Sequence, residues 1–255
     1  MNKMLLSAPD WCFYPKLGDP DRYYETLKTL GFTGVEMVDP ARYAAARSAG
    51  LEIVTMSGPG MTHGLNRHEN HDELIPQLRD AIHHASDNHI PILIVFSGNR
   101  AGQPDSEGIT NCRRGFETLL PDAEHAGVIL GFEMLNTNDH PDYQAVHGRY
   151  GFELAESIHS PWFKLVYDIY HMERMGDDSA ADITHNLSLI SHLHVAEYPH
   201  RSAPLAEGNI RHSYIVPTVL KAGYQGYWGL EYIPGENPLD ELRQAVALFK
   251  QFPTL

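Results

Sequence analysis

Val128-Ile129-Leu130-Gly131-Phe132 runs into Glu133, and the reading of this stretch decides the fold. It is a short apolar run that ends abruptly in a residue able to bind a metal ion. Three later runs have the same form. Phe163-Lys164-Leu165-Val166-Tyr167 leads to Asp168, Ile190-Ser191-His192-Leu193 to His194, and Tyr227-Trp228-Gly229-Leu230 to Glu231. The spacings are 35 (133 to 168), 26 (168 to 194) and 37 (194 to 231) residues. A strand, loop and helix occupy about 30 residues in a βαβ unit. The four residues therefore read as the same end of four successive parallel strands. In a closed α/β barrel those ends converge on one mouth, where active sites are built. Three carboxylates and an imidazole gathered there call for a divalent cation, with Mg²⁺, Mn²⁺, Co²⁺ and Zn²⁺ all compatible.

The remainder of the chain repeats the pattern. Leu5 to Trp11 reads as a first strand ending near Pro9, and Asp19-Pro20 as an N-cap with proline in the first helical turn. Strands follow at 34–38, 51–56 and 92–96, the last a continuous apolar run suited to a strand covered on both faces. Helices are expected at 20–30, 40–49, 72–86, around 116–126, 150–158, 183–190, 215–222 and 239–249. Ser57 to His71 reads as a long loop on the functional face. Eight strands, each followed by a helix, predict a single (β/α)8 barrel over residues 1–255. A dinucleotide-binding sheet is disfavoured because no glycine-rich phosphate fingerprint follows the first strand.

Composition narrows the partners. The net charge is −14, with 19 Lys+Arg against 33 Asp+Glu, which disfavours nucleic acid. No apolar run approaches a membrane span. Met1 to Ser7 holds too short an apolar run for a signal peptide, so a cytoplasmic protein is expected. Cys12 and Cys112 form no spacing motif and read as reduced thiols. Oligomeric state stays open, a homo-oligomer included.

Taken singly, Glu133 or Asp168 would read as a helix cap or a solvated loop residue. Glutamate is a poor strand former, however, and Glu133 and Glu231 close otherwise buried runs. Coordination explains their placement, because a cation offsets their desolvation. Ser97, Asn136, Asp139, His171 and Arg201 sit in the loops after these strands and are candidate contacts to substrate oxygens.

Several of these motifs resemble the hydroxypyruvate isomerase family of the xylose-isomerase-like barrels. They are Ile94-Val95-Phe96-Ser97-Gly98-Asn99-Arg100, Asp168-Ile169-Tyr170-His171-Met172, His192-Leu193-His194-Val195-Ala196 with Pro199 and Arg201, Gly229-Leu230-Glu231-Tyr232, and Asn70-His71-Asp72-Glu73-Leu74. The resemblance implies one divalent ion, usually Mg²⁺ or Mn²⁺, on Glu133, Asp168, His194 and Glu231. It implies proton transfer by Glu133 and Glu231 through an ene-diolate of a small hydroxy-keto acid or keto-sugar. One departure bears on substrate. Hydroxypyruvate isomerases commonly carry glutamine where this chain has His194, and histidine there is closer to the ketose 3-epimerases. A polyol dehydratase and a non-catalytic metal-binding barrel are further alternatives. An endonuclease IV-like hydrolase fits less well, because no Asp-x-His pair lies between His194 and Glu231 and strand four ends in Ser97.

Overall fold

The computed structural model describes residues 4–17 and 20–252. Its eight strands are β1 (Leu5–Pro9), β2 (Gly34–Glu36), β3 (Glu52–Ser57), β4 (Ile92–Val95), β5 (Ile129–Glu133), β6 (Phe163–Asp168), β7 (Ile190–Val195) and β8 (Tyr227–Leu230). They close into a barrel in sequence order, so the predicted fold class is observed. The helices are α1 (Asp10–Leu17), α2 (Pro20–Leu30), α3 (Tyr43–Ser48), α4 (His71–Asp87), α5 (Asp105–Ala126), α6 (Gly148–Ile158), α7 (Ile169–Arg174), α8 (Ser179–His185), α9 (His212–Lys221) and α10 (Pro238–Lys250).

Backbone packing separates two compact units. One holds the described residues up to Val54 with Asp178–Leu187 and those from His192 onward; the other holds Thr55–Asp177 and Ser188–Ser191. In the first unit β1 pairs in parallel with both β2 and β8, and β7 pairs with β8 so that His194 lies opposite Gly229. Its core is aromatic: the Trp228 ring meets Tyr224 at 5.5 Å and Phe249 at 5.6 Å. In the second unit β4, β5 and β6 pair in parallel, setting Val95 opposite Phe132 and Glu133 opposite Val166. All four residues of β4 are buried, as a continuous apolar run requires. Phe116 on α5 packs on Phe132 and Phe163 at 5.9 and 5.0 Å, fastening that helix over two strands.

Three expectations need correction. Residues 10–17 form a helix rather than the tail of a strand and a loop. Tertiary contacts decide this segment: Phe13 meets Tyr232 edge-on at 4.9 Å, and Lys16 Nζ donates to the Pro234 carbonyl at 3.0 Å. The helix marked by Phe116 begins eleven residues earlier, at Asp105, in what reads as a polar loop. Gly108 lowers helix propensity there, yet a Cβ at that position would come within 2.4 Å of the Gln144 amide, so packing excludes a larger residue. After β6 the predicted single helix is two. Asp168 caps α7 and Asp178 caps α8 through side-chain oxygens, and Ile190 belongs to β7. Asp19, the expected cap of α2, lies outside the described residues, as do Met1–Lys3. No described helix is long and apolar enough to cross a membrane.

Asp10 opens α1 and ties three elements of the first unit. Its Oδ2 accepts from the Tyr24 hydroxyl at 2.7 Å and from Arg42 Nε at 3.3 Å. Burial pushes its carboxyl up to about 6, against the pull of Tyr24 and Arg42. The folded protein thus holds this proton more tightly than the unfolded chain. The associated stability is present below pH ~4 and is lost as pH rises through about 6. Asp10→Asn keeps an acceptor for Tyr24 without the buried charge. It should raise stability by about 1–3 kcal/mol at pH 8 and change little near pH 4. Thermal melts at both pH values check this; an equal shift at the two would contradict it.

Candidate metal centre and active site

In the first unit, His194 is the last residue but one of β7 and Glu231 follows the last residue of β8. Both are buried, His194 at 0% and Glu231 at 5% exposure. Glu231 is held from every side. His194 Nδ1 lies 3.0 Å from its Oε2, Arg201 donates to the same oxygen, and the Trp11 indole donates to Oε1 at 3.0 Å. Arg201 Nε also donates to the Glu231 carbonyl at 3.1 Å, and its guanidinium stands 5.5 Å from the Trp11 ring centroid. Burial alone would raise the Glu231 carboxyl, but Arg201 and His194 overcome it and hold the group at about 2. Arg201 takes a left-handed backbone, φ 51°, uncommon for a residue with a Cβ. The expected substrate arginine is therefore docked on an expected catalytic glutamate.

His194 has a second neighbour that the strand-end pattern did not bring forward. Glu36, the last residue of β2, is fully buried, and its Oε2 lies 3.0 Å from His194 Nε2 and 2.9 Å from His192 Nε2. Its Oε1 accepts from the Ser7 hydroxyl at 2.7 Å. Burial would raise the Glu36 carboxyl, but His192 and His194 bring it well below the usual carboxylate range. A signal was present: a charged residue inside the apolar run Gly34-Val35-Glu36-Met37-Val38, the same anomaly that marks Glu133. Trp11 was expected near a strand end. It instead sits on α1, 44% exposed, with its indole nitrogen committed to Glu231.

In the second unit, β5 ends at Glu133 and β6 at Asp168, at 6% and 0% exposure. Asp168 does two jobs. Its Oδ1 caps α7 by accepting from the amides of Tyr170 at 2.8 Å and His171 at 3.4 Å. Its Oδ2 lies 3.5 Å from His171 Nε2. Because His171 Nδ1 accepts from the Asn136 backbone amide at 3.1 Å, the ring proton of the neutral imidazole sits on Nε2. His171 is thereby a fixed donor beside Asp168.

The remaining predicted contacts have partners within the protein. Asn136 Oδ1 accepts from the amides of Asn138 and Asp139, and its Nδ2 is directed at His171 Nδ1 and Asp139 Oδ2. Asp139 Oδ2 also accepts from the Tyr170 hydroxyl at 2.6 Å. The Ser97 hydroxyl donates to the Gly98 carbonyl at 3.0 Å and accepts from the Ala145 amide at 3.2 Å, at zero exposure. Asn136 and Asp139 orient His171 and Tyr170, and Ser97 ties two loops. Cys12 and Cys112 are free and buried.

Comparison with known proteins places this architecture. A hydroxypyruvate isomerase of Escherichia coli (strain K12) is 32% identical over 107 residues, 42% of this chain and 41% of that protein; the matched part spans less than half of that relative. A relative in Mus musculus is 24% identical over 253 residues, covering 91% of this chain and 90% of its own. Among solved structures, a family 2 AP endonuclease from Brucella melitensis superposes with a TM-score of 0.80 at 22% identity, over 94% of this chain and 97% of that one; this likeness concerns the fold. A family model matches residues 24–252, and the chain accordingly belongs to the xylose isomerase-like TIM barrel family.

Proposed function

We propose that this protein is a divalent-metal-dependent isomerase of a small hydroxy-carbonyl compound, a hydroxy-keto acid such as hydroxypyruvate or a related keto-sugar. The observation that carries the reading is the chemistry of the strand ends. Glu133 and Asp168 end β5 and β6, His194 is the last residue but one of β7 and Glu231 follows β8; all four are buried, and we read them as the donors of one ion. Buried carboxylates need positive charge, which a divalent ion would supply alongside Arg201 and the imidazole. The family and the name of the Escherichia coli relative support the reaction class. One domain over residues 1–255 is part of the same proposal.

Glu133, Asp168, His194 and Glu231 would hold the ion, which would supply Lewis acidity toward a carbonyl and so make the adjacent C–H more acidic. The protein's residues do the remaining work. One of Glu133 and Glu231 removes the proton beside the carbonyl, and the other returns a proton to the neighbouring carbon of the ene-diolate. Asp168 keeps its Oδ2 toward the site because the α7 amides occupy Oδ1. His171, its proton fixed on Nε2, donates to a substrate oxygen. Arg201 exchanges Glu231 for an anionic substrate oxygen, which frees Glu231 Oε2. The second reading, a ketose 3-epimerase, differs in which carbon is reprotonated and is favoured by histidine rather than glutamine at 194.

Glu133→Gln and Glu231→Gln should each lower kcat by about 10²–10⁴-fold while the far-ultraviolet circular dichroism stays unchanged. Turnover of a panel of hydroxy-keto acids and ketoses measures this, and near-normal kcat in either variant would end the assignment of that residue. Product analysis separates isomerisation from epimerisation. Removing metal with a chelator should abolish turnover, and Mn²⁺ or Mg²⁺ should restore it. Metal at about 100 times its Kd should also raise the thermal midpoint by about 5–10 °C. A midpoint indifferent to every divalent ion would argue against the centre.

A further inference from the structure

Glu36 takes no part in the chemistry above, yet it is wholly buried and its carboxylate is fully engaged. Ser7 Oγ donates to Oε1 at 2.7 Å, and His194 Nε2 lies in hydrogen-bonding geometry 3.0 Å from Oε2. His192 approaches the same oxygen at 2.9 Å, but neither of its ring nitrogens makes a directed hydrogen bond among the described residues. His192 and His194 alternate along β7 with Leu193 between them, so both face one side of the strand, with their rings edge to face at 4.8 Å and 84°. The directed bond to Glu36 therefore belongs to His194.

The room for this arrangement comes from Gly229, paired with His194 across β7 and β8. A Cβ at 229 would stand 2.4 Å from Glu36 Oε1, 2.7 Å from His194 Cδ2 and 3.0 Å from His192 Nε2. Any side chain at 229 would displace the carboxylate or the ring. The glycine, the glutamate and the histidine form one fitted unit.

We propose that Glu36 is the positioning residue of His194. It accepts the Nε2 proton, so that Nδ1, which faces Glu231 Oε2 at 3.0 Å, is the nitrogen left to give its lone pair to an ion. A carboxylate behind a ligating imidazole fixes its tautomer and ring plane and raises its basicity as a ligand. The inference rests on the reading of His194 as a metal ligand, and the experiment separates the two.

Mn²⁺ affinity is measured by calorimetric titration for the wild-type protein, Glu36→Gln, His194→Asn and the double variant, with circular dichroism to verify folding. A long-range ¹H–¹⁵N correlation spectrum of the wild type and Glu36→Gln loaded with diamagnetic Mg²⁺ reports the His194 tautomer. Expected are an Nε2–H tautomer in the wild type and a Mn²⁺ affinity about 10–100-fold weaker in Glu36→Gln. That loss should vanish in the His194→Asn background, because Glu36 acts through the ring. An unchanged affinity in Glu36→Gln, with His194→Asn weakened, overturns the positioning role and leaves the ligand reading standing. An equal loss in both backgrounds also overturns it, as does a second Mn²⁺ bound per chain, since Nε2 would then be a ligand itself. Unchanged affinity in His194→Asn sinks the ligand reading and this inference together.

Discussion

A carboxylate taken out of water must be met by positive charge or by donors, and this constraint organises the polar interior of the protein. Each buried acid meets it differently. Asp168 uses two backbone amides at the start of α7. Glu231 uses Arg201, His194 and Trp11. Glu36 uses Ser7 and two imidazoles. Asp10, with Tyr24 and Arg42, is the least compensated, and burial still raises its carboxyl to about 6. Such placements are costly, and they persist where a site requires them.

The compensation also creates rigidity. An imidazole held at both nitrogens has neither a free tautomer nor a free ring angle. His171 is fixed by Asn136 at Nδ1 and faces Asp168 with Nε2; His194 is fixed by Glu36 at Nε2 and faces Glu231 with Nδ1. Chemistry that moves protons between carbon atoms depends on such pre-set donors and acceptors, because small displacements cost large factors in rate. Glycine supports this order by omission: Gly229 leaves space for the Glu36 carboxylate and both rings.

Much of this was legible in the chain. The apolar run 92–96 shows β4, and the abrupt ends at Glu133, Asp168, His194 and Glu231 show the register of the last four strands. The helices faltered where local pattern and packing disagree. The stretch up to about Gly108 reads as polar loop yet helix begins at Asp105, since the early buried side of α5 includes Gly108 and Asn111 rather than a run of large apolar residues. Asn136, Asp139 and Ser97 read as candidate substrate contacts; that they also hydrogen-bond within the protein was not legible, because it depends on partners up to 48 positions away.

By itself the sequence determined the alternation of strand and helix, and with it the parallel barrel and the residue types at its strand ends. Periodicity and spacing are properties of neighbours along the chain, so no coordinates are needed to read them. Only the tertiary structure decided that Glu36 stands behind His194, that Arg201 and Trp11 grip Glu231, and that residues 10–17 coil into a helix. Those pairings join positions as far apart as 158 and 220 residues, and side-chain direction across a closed sheet follows from strand register and packing, which no local pattern encodes.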